Sequence, residues 1–377
     1  MEAKTRQSNF ELLRIISMLM IIAHHLSIHG CFGAIEHNVV EAENLDAIYF
    51  NKLVVGSLYP GGHIGVALFM MISGYFVCLK KSVSIRKVAR QIIFYAFSLT
   101  AIFFLVFLYF KIVNNMGIQD LTYVSIRDFA KDLSAIILRP VTGGMWWFAT
   151  TYVLVILASP LINKFIGDLN KRGFLLLLSI FFFLYYFQCF MLLNQYIDII
   201  RLLFFYLIGA FIRLHCSSQI KATNAAFYFL VAIILWGAIV GKKHIFGFLA
   251  PESTLFSIAN RLFEYCVCVP LISICIFRLF QSFHFSNAFI NKLSSATFGV
   301  YLIHDCRLLR NILYFDIFHV ADVQILSRFF PLYAILDIIA IYSVCTVIDL
   351  LRQRFIAPSF EAWCDRMENK IKSWCCR

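Results

Sequence analysis

The chain has 377 residues, 61% of them apolar or aromatic (Ala, Val, Ile, Leu, Met, Phe, Trp, Tyr, Cys), 14% charged, and a net charge of +12. Soluble domains run near about 45–50% apolar and about 25% charged, so this chain has too little polar sequence to cover a globule of its size in water. A soluble two-domain protein, a disordered chain, a collagen-like chain and a small disulfide scaffold are all excluded. The expectation is an all-α integral membrane protein, a single polytopic domain over 1–377.

Ten apolar blocks of about 20 residues, the length that crosses a bilayer, run near 11–29, 63–79, 91–112, 146–163, 173–193, 197–214, 224–241, 258–280, 293–313 and 330–351. The first is expected to be a retained span and not a cleaved leader, because it lacks a small-residue cleavage site and holds Arg14, His24 and His25. Arg14 and His25 are eleven positions apart, close to three helical turns. They therefore share a face, separated by roughly 16 Å along the axis, while His24 points elsewhere. An Arg at a span centre costs roughly 2.5–3.5 kcal/mol, so ionisable residues there mark candidate sites. The bland alternatives are snorkelling for Arg14 and a carbonyl partner for His25.

The second block opens at Gly61-Gly62-His63 and runs to Ser73-Gly74-Tyr75, where small residues also suit close helix packing. Behind it come Lys80, Lys81, Arg86, Lys87 and Arg90, which read either as a topology signal or as an anion site. Trp146-Trp147-Phe148 suits an interfacial aromatic belt. Asp198 with Arg201, and Arg261 with Glu264, are spaced as ion pairs. His304 and Asp305 lie in the ninth block, Asp337 and Asp349 in the tenth, and several of these groups are placed to line a polar path through the bundle.

Lys and Arg concentrate in one set of alternate loops and in the tail from Arg352, which predicts both termini on the cytoplasmic side. Loops 30–62 and 114–145 then face outward. The same count explains the basic charge without nucleic acid, for which no binding pattern is present. The 12 Cys form no CxxC pair or metal-spaced quartet and read as small buried hydrophobes. No metal is expected.

Taken in order, these residues resemble the acyltransferase 3 family of membrane O-acyltransferases. Arg14 and His25 are similar to its Arg-x10-His motif. Gly65 to Phe69 followed by Ser73-Gly74-Tyr75 resembles its second-span pattern, and Arg86 to Arg90 its basic run. Trp147-Phe148 with Tyr152 and Pro160, Phe205-Tyr206-Leu207-Ile208-Gly209, and Tyr301-Leu302-Ile303-His304 resemble later spans. Two departures stand out. Thr150 and Thr151 follow where some members have a Glu after the Trp, and no appended hydrolase domain is seen. The resemblance implies a bundle of about ten spans in a bacterial inner membrane. It also implies transfer of an acyl group, commonly acetyl, from cytoplasmic acyl-CoA to a sugar hydroxyl of a surface polysaccharide or its lipid-linked precursor.

On that basis His25 is the expected general base, since a sugar hydroxyl needs its proton removed to attack a thioester. Arg14, Arg86 and Arg90, with Lys87 beside them, are the expected partners of the donor's phosphates. Ser73, Tyr75, Trp146 and Trp147 are the open choices for stabilising the oxyanion. His304 either orients His25 or binds the acceptor. Acyl-CoA is a co-substrate and no tightly bound cofactor is expected; the oligomeric state stays open. The rival expectation is a proton-coupled transporter or polysaccharide exporter, against which no inverted repeat or paired broken spans are found.

Overall fold

The computed structural model describes residues 7–31, 45–114, 146–190, 198–216, 222–247 and 254–375, with 131, 133, 134, 138, 139 and 141. Most of the expected outer loop 114–145, part of loop 30–62 and the last two residues, Cys376 and Arg377, lie outside these residues. The described residues are helical, with no strand among them. We number the helices α1 Ser8–His25, α2 Leu45–Leu58, α3 Pro60–Val77, α4 Arg86–Asn114, α5 Trp147–Gly167, α6 Lys171–Phe190 and α7 Asp198–His215. They continue as α8 Ala222–Gly247, α9 Thr254–Arg261, α10 Val269–Gln281, α11 Ala288–Ser294, α12 Thr297–His304, α13 Phe330–Leu351 and α14 Ala357–Cys375.

Eight helical stretches among the described residues are long and apolar enough to cross a membrane. The chain is a multi-pass membrane protein on this pattern. The other two expected blocks are helical for different reasons. The sixth is α7, of 18 residues, which is set apart by its three charges, Asp198, Arg201 and Arg213. The ninth breaks at Ser295–Ala296 and again after His304, giving the short α11 and α12 and then two π-helical turns, Ile312–Ile317 and Val320–Gln324. The second block starts earlier than its hydropathy suggests, as α2 runs almost directly into α3. Asn51 and Lys52 interrupt the apolar run there. Asn51 is nonetheless buried, because its side-chain amide donates to the Ile325 and Ser327 carbonyls at 2.7 and 2.9 Å.

The centre of the bundle is α1, α3 and α7. No hydrophobic drive separates lipid from a Leu-rich interface, so spans associate by close backbone packing at small residues. Gly74 of α3 and Gly209 of α7 are reciprocal: a Cβ on Gly74 would run into the Tyr206 carbonyl, and one on Gly209 into the Met71 carbonyl. Phe10, Leu13, Met18 and Ile22 of α1 fill the seam beside them. By contrast α6 and α8 expose Leu176, Phe183, Phe187, Phe229, Leu230 and Ile234. Helices so apolar and so little buried form the lipid-facing rim.

Candidate functional site

The helical period of α1 changes at His25. From Leu26 to Cys31 the turns widen to the π form, a device that re-aims side chains inside a helix. His25 and His29 thereby line one cavity of about 370 Å³ together with His24. Gly62 of α3 permits this, because a Cβ there would collide with the His24 ring. His24 bonds the Tyr59 carbonyl through Nδ1 at 2.6 Å. The remaining walls include Ile21 and Ile28, Val66 and His63 of α3, Trp147 and Phe148 of α5, Arg201 of α7, and Tyr301, Asp305, Arg307 and Arg310 at and after the end of α12.

His25 is buried, and its Nδ1 lies 2.9 Å from Nε2 of His304. His304, also buried, points its own Nδ1 at the Val300 carbonyl, 2.7 Å away. A carbonyl oxygen only accepts, so Nδ1 of His304 carries the hydrogen. With both rings neutral, Nε2 of His304 is then the acceptor and Nδ1 of His25 the donor. This chain of bonds assigns the tautomer of His25 and leaves the lone pair on its Nε2.

Asp305, where α12 stops, places Oδ1 3.8 Å from Nδ1 of His25 and 3.7 Å from Nη1 of Arg310. Arg310 Nη1 also donates to Nε2 of His29 at 3.0 Å. His25, His29 and Asp305 bring potential metal-ligand atoms within 4.8 Å of one another. The Arg310 guanidinium already places a positive charge between two of the three, which opposes a divalent cation there. Across the cavity, Arg201 pairs with Asp198 at 2.7 Å, as the sequence suggests, and lies over the Trp147 ring at 4.8 Å.

The other expected residues lie elsewhere. Arg14 does not line the cavity: three turns back along α1, it pairs with Glu11 at 2.7 Å, and Glu11 also accepts from Ser294 at 2.6 Å. Next to Ser294, Ser295 meets Gln353, which bonds buried Asp349. Asp349 in turn accepts from Tyr95 at 2.6 Å and pairs with Arg352 at 2.8 Å. One polar layer thus joins the start of α1 to α4 and α13. Arg86 and Arg90 stand at this same end of the molecule, a turn or two before Tyr95. Arg90 grips Asp365 and Glu368 of α14 at 2.5 and 2.7 Å, and Arg86 meets Glu368 at 3.3 Å. Ser73 bonds back to the Phe69 carbonyl at 2.9 Å. Tyr75 packs on Phe10 and accepts from Arg213 at 3.1 Å. Neither Ser73 nor Tyr75 lines the cavity. Trp147 does, and His304 backs it through His25.

The structure adds His29, His63, Asp305 and Arg310 to the cavity. His29 was legible as the fourth residue after His25, one turn on along the same face. Arg310 was not, since its position reads as an outer-loop charge.

Residues 7–350, nearly the whole chain, match a family described as an acyltransferase domain. No curated protein and no solved structure matches.

Proposed function

The chain belongs to the acyltransferase 3 family, and from that premise we propose that it is a membrane O-acyltransferase. It moves an acyl group, acetyl in the simplest case, from cytoplasmic acyl-CoA to a sugar hydroxyl of a surface polysaccharide or its lipid-linked precursor. The observation that carries this is the buried pair His25–His304, tied to the Val300 carbonyl and bordering a cavity.

Nε2 of His25 takes the proton of the acceptor hydroxyl as its oxygen attacks the thioester carbonyl. The tetrahedral intermediate expels the thiolate of the donor, which recovers the proton from the imidazolium. His304 holds the ring in the tautomer that this requires, as a second group orients the base in hydrolytic triads. The acyl group enters the cavity from the Arg14 end, where Arg14, Arg86 and Arg90 face the donor's phosphates and exchange their carboxylate partners for them. Trp147 forms a wall for the acceptor. The Trp147 indole N–H, at the cavity wall, replaces Ser73 and Tyr75 as the donor for the developing oxyanion. The membrane is a bacterial inner membrane, with both termini inside.

The test uses membranes holding the wild type or His25→Ala, given labelled acetyl-CoA and the cell's own glycans, with alkali-labile label in the glycan read by mass spectrometry. Label with the wild type and a loss of at least about 10²-fold in the variant is expected. Full labelling by His25→Ala overturns the mechanism. Consumption of no acyl-CoA by the wild type favours a carrier.

A further inference from the structure

The cavity is built for more than a neutral sugar. Its formally charged lining is Arg201, Arg307 and Arg310 against Asp305 alone. Asp198, outside the lining, holds Arg201 from one side. Arg201 and Arg310 each keep a buried Nε–H that meets no hydrogen-bond acceptor among the described residues. A guanidinium presents five donors in one plane, and leaving buried donors unmet is costly. The Trp147 ring packed on the Arg201 guanidinium fixes its plane at the cavity wall. A planar, forked donor of this kind is matched by a phosphate or carboxylate, which accepts two parallel bonds. The hydroxyls of a neutral glycan do not match that fork.

Resting on the acyl-transfer reading of this same cavity, we propose that the acceptor is anionic. A phosphate or carboxylate oxyanion of the acceptor lands on Arg201 and Arg310 while the hydroxyl to be acylated faces His25. The anion belongs to the acceptor because of where Arg310 stands. It touches His29 and Asp305, and Asp305 lies 3.8 Å from His25. In acyl-CoA the whole pantetheine arm separates the nearest phosphate from the thioester. A donor phosphate at Arg310 carries the thioester past the base. Two sources supply such an acceptor anion: a uronic-acid carboxylate within the glycan, or the pyrophosphate that joins a glycan to its lipid carrier.

The experiment measures binding by the purified full chain in lipid nanodiscs, without acyl donor. The probes are a tetrasaccharide containing glucuronic acid, its carboxyl-reduced neutral form, and that neutral form joined to farnesol either through pyrophosphate or through a plain ether. At least one anionic probe binds about tenfold tighter than its neutral counterpart or more. Arg201→Gln and Arg310→Gln remove that preference. Preference in the carboxylate arm identifies a uronic acid, and preference in the pyrophosphate arm identifies the lipid carrier. Equal binding of charged and neutral probes by the wild type overturns the inference. So does loss of coenzyme A binding, with glycan binding intact, in Arg201→Gln, since the cations then serve the donor. Acyl transfer is followed separately in the same discs. Charge-selective binding with no transfer supports the anion site and sinks the acyltransferase reading, whereas transfer without charge selection sinks the anion site alone.

Discussion

His25 is legible in the sequence as an imidazole inside an apolar span, but its hydrogen-bond partner is His304, 279 residues away. Hydropathy sees the first of these facts and is blind to the second. On the proposed mechanism the pair makes a specific demand: His304 positions His25 and does not touch the acceptor. His304→Gln is therefore expected to lower kcat on the order of tenfold or more with little change in the donor's KM, read by initial-rate kinetics. A rise in KM alone would show that His304 binds substrate instead. Arg14 makes the complementary case. If it meets donor phosphate, Arg14→Ala raises the KM for acyl-CoA about tenfold or more while His25 chemistry stays intact at saturating donor. An unchanged donor KM would leave Arg14 as a structural partner of Glu11.

At the scale of elements, two contacts decide the architecture. The first is the crossing of α3 and α7 at Gly74 and Gly209, where each glycine faces the other helix's backbone. The sequence reads Ser73-Gly74 equally as packing or as a site, and the placement of Gly74 shows packing. Gly74→Val is expected to destabilise the protein by about 1–3 kcal/mol, because the bundle has to shift to admit an isopropyl group. A lower unfolding temperature in detergent checks it, and an unshifted transition would deny the close approach. The second contact is α14 on α4. Its acids occupy Arg90 and Arg86, the residues the sequence offers as an anion site. The pair Asp365→Asn and Glu368→Gln frees both arginines. If they receive the donor, the KM for acyl-CoA falls several-fold at low salt and the gain fades as salt is raised. No change in either condition would assign the contact to docking of α14 alone.

For the whole molecule, the asymmetry of Lys and Arg predicts an orientation that local geometry does not. It predicts that green fluorescent protein fused after Arg377 fluoresces and that alkaline phosphatase at the same place is inactive. The opposite pattern would turn the molecule over and put the Arg14 end outside, away from cytoplasmic acyl-CoA.

The sequence by itself determined the membrane class, most of the spans and the place of His25 within the first of them, because each depends on local hydropathy or on helical period. It also carried the Asp198–Arg201 pair, whose partners lie within one turn. Only the tertiary structure decided the rest. The ninth block is broken at residues 295–296 and after His304, and that break lets Asp305 and Arg310 turn toward α1. The partner of His25, the cover on Arg90 and the placement of Tyr75 on Phe10 away from the cavity are contacts between helices far apart in the chain. Hydrophobic periodicity says which face of a helix is apolar. It does not say which other helix that face meets, and the chemistry of this site lies in those meetings.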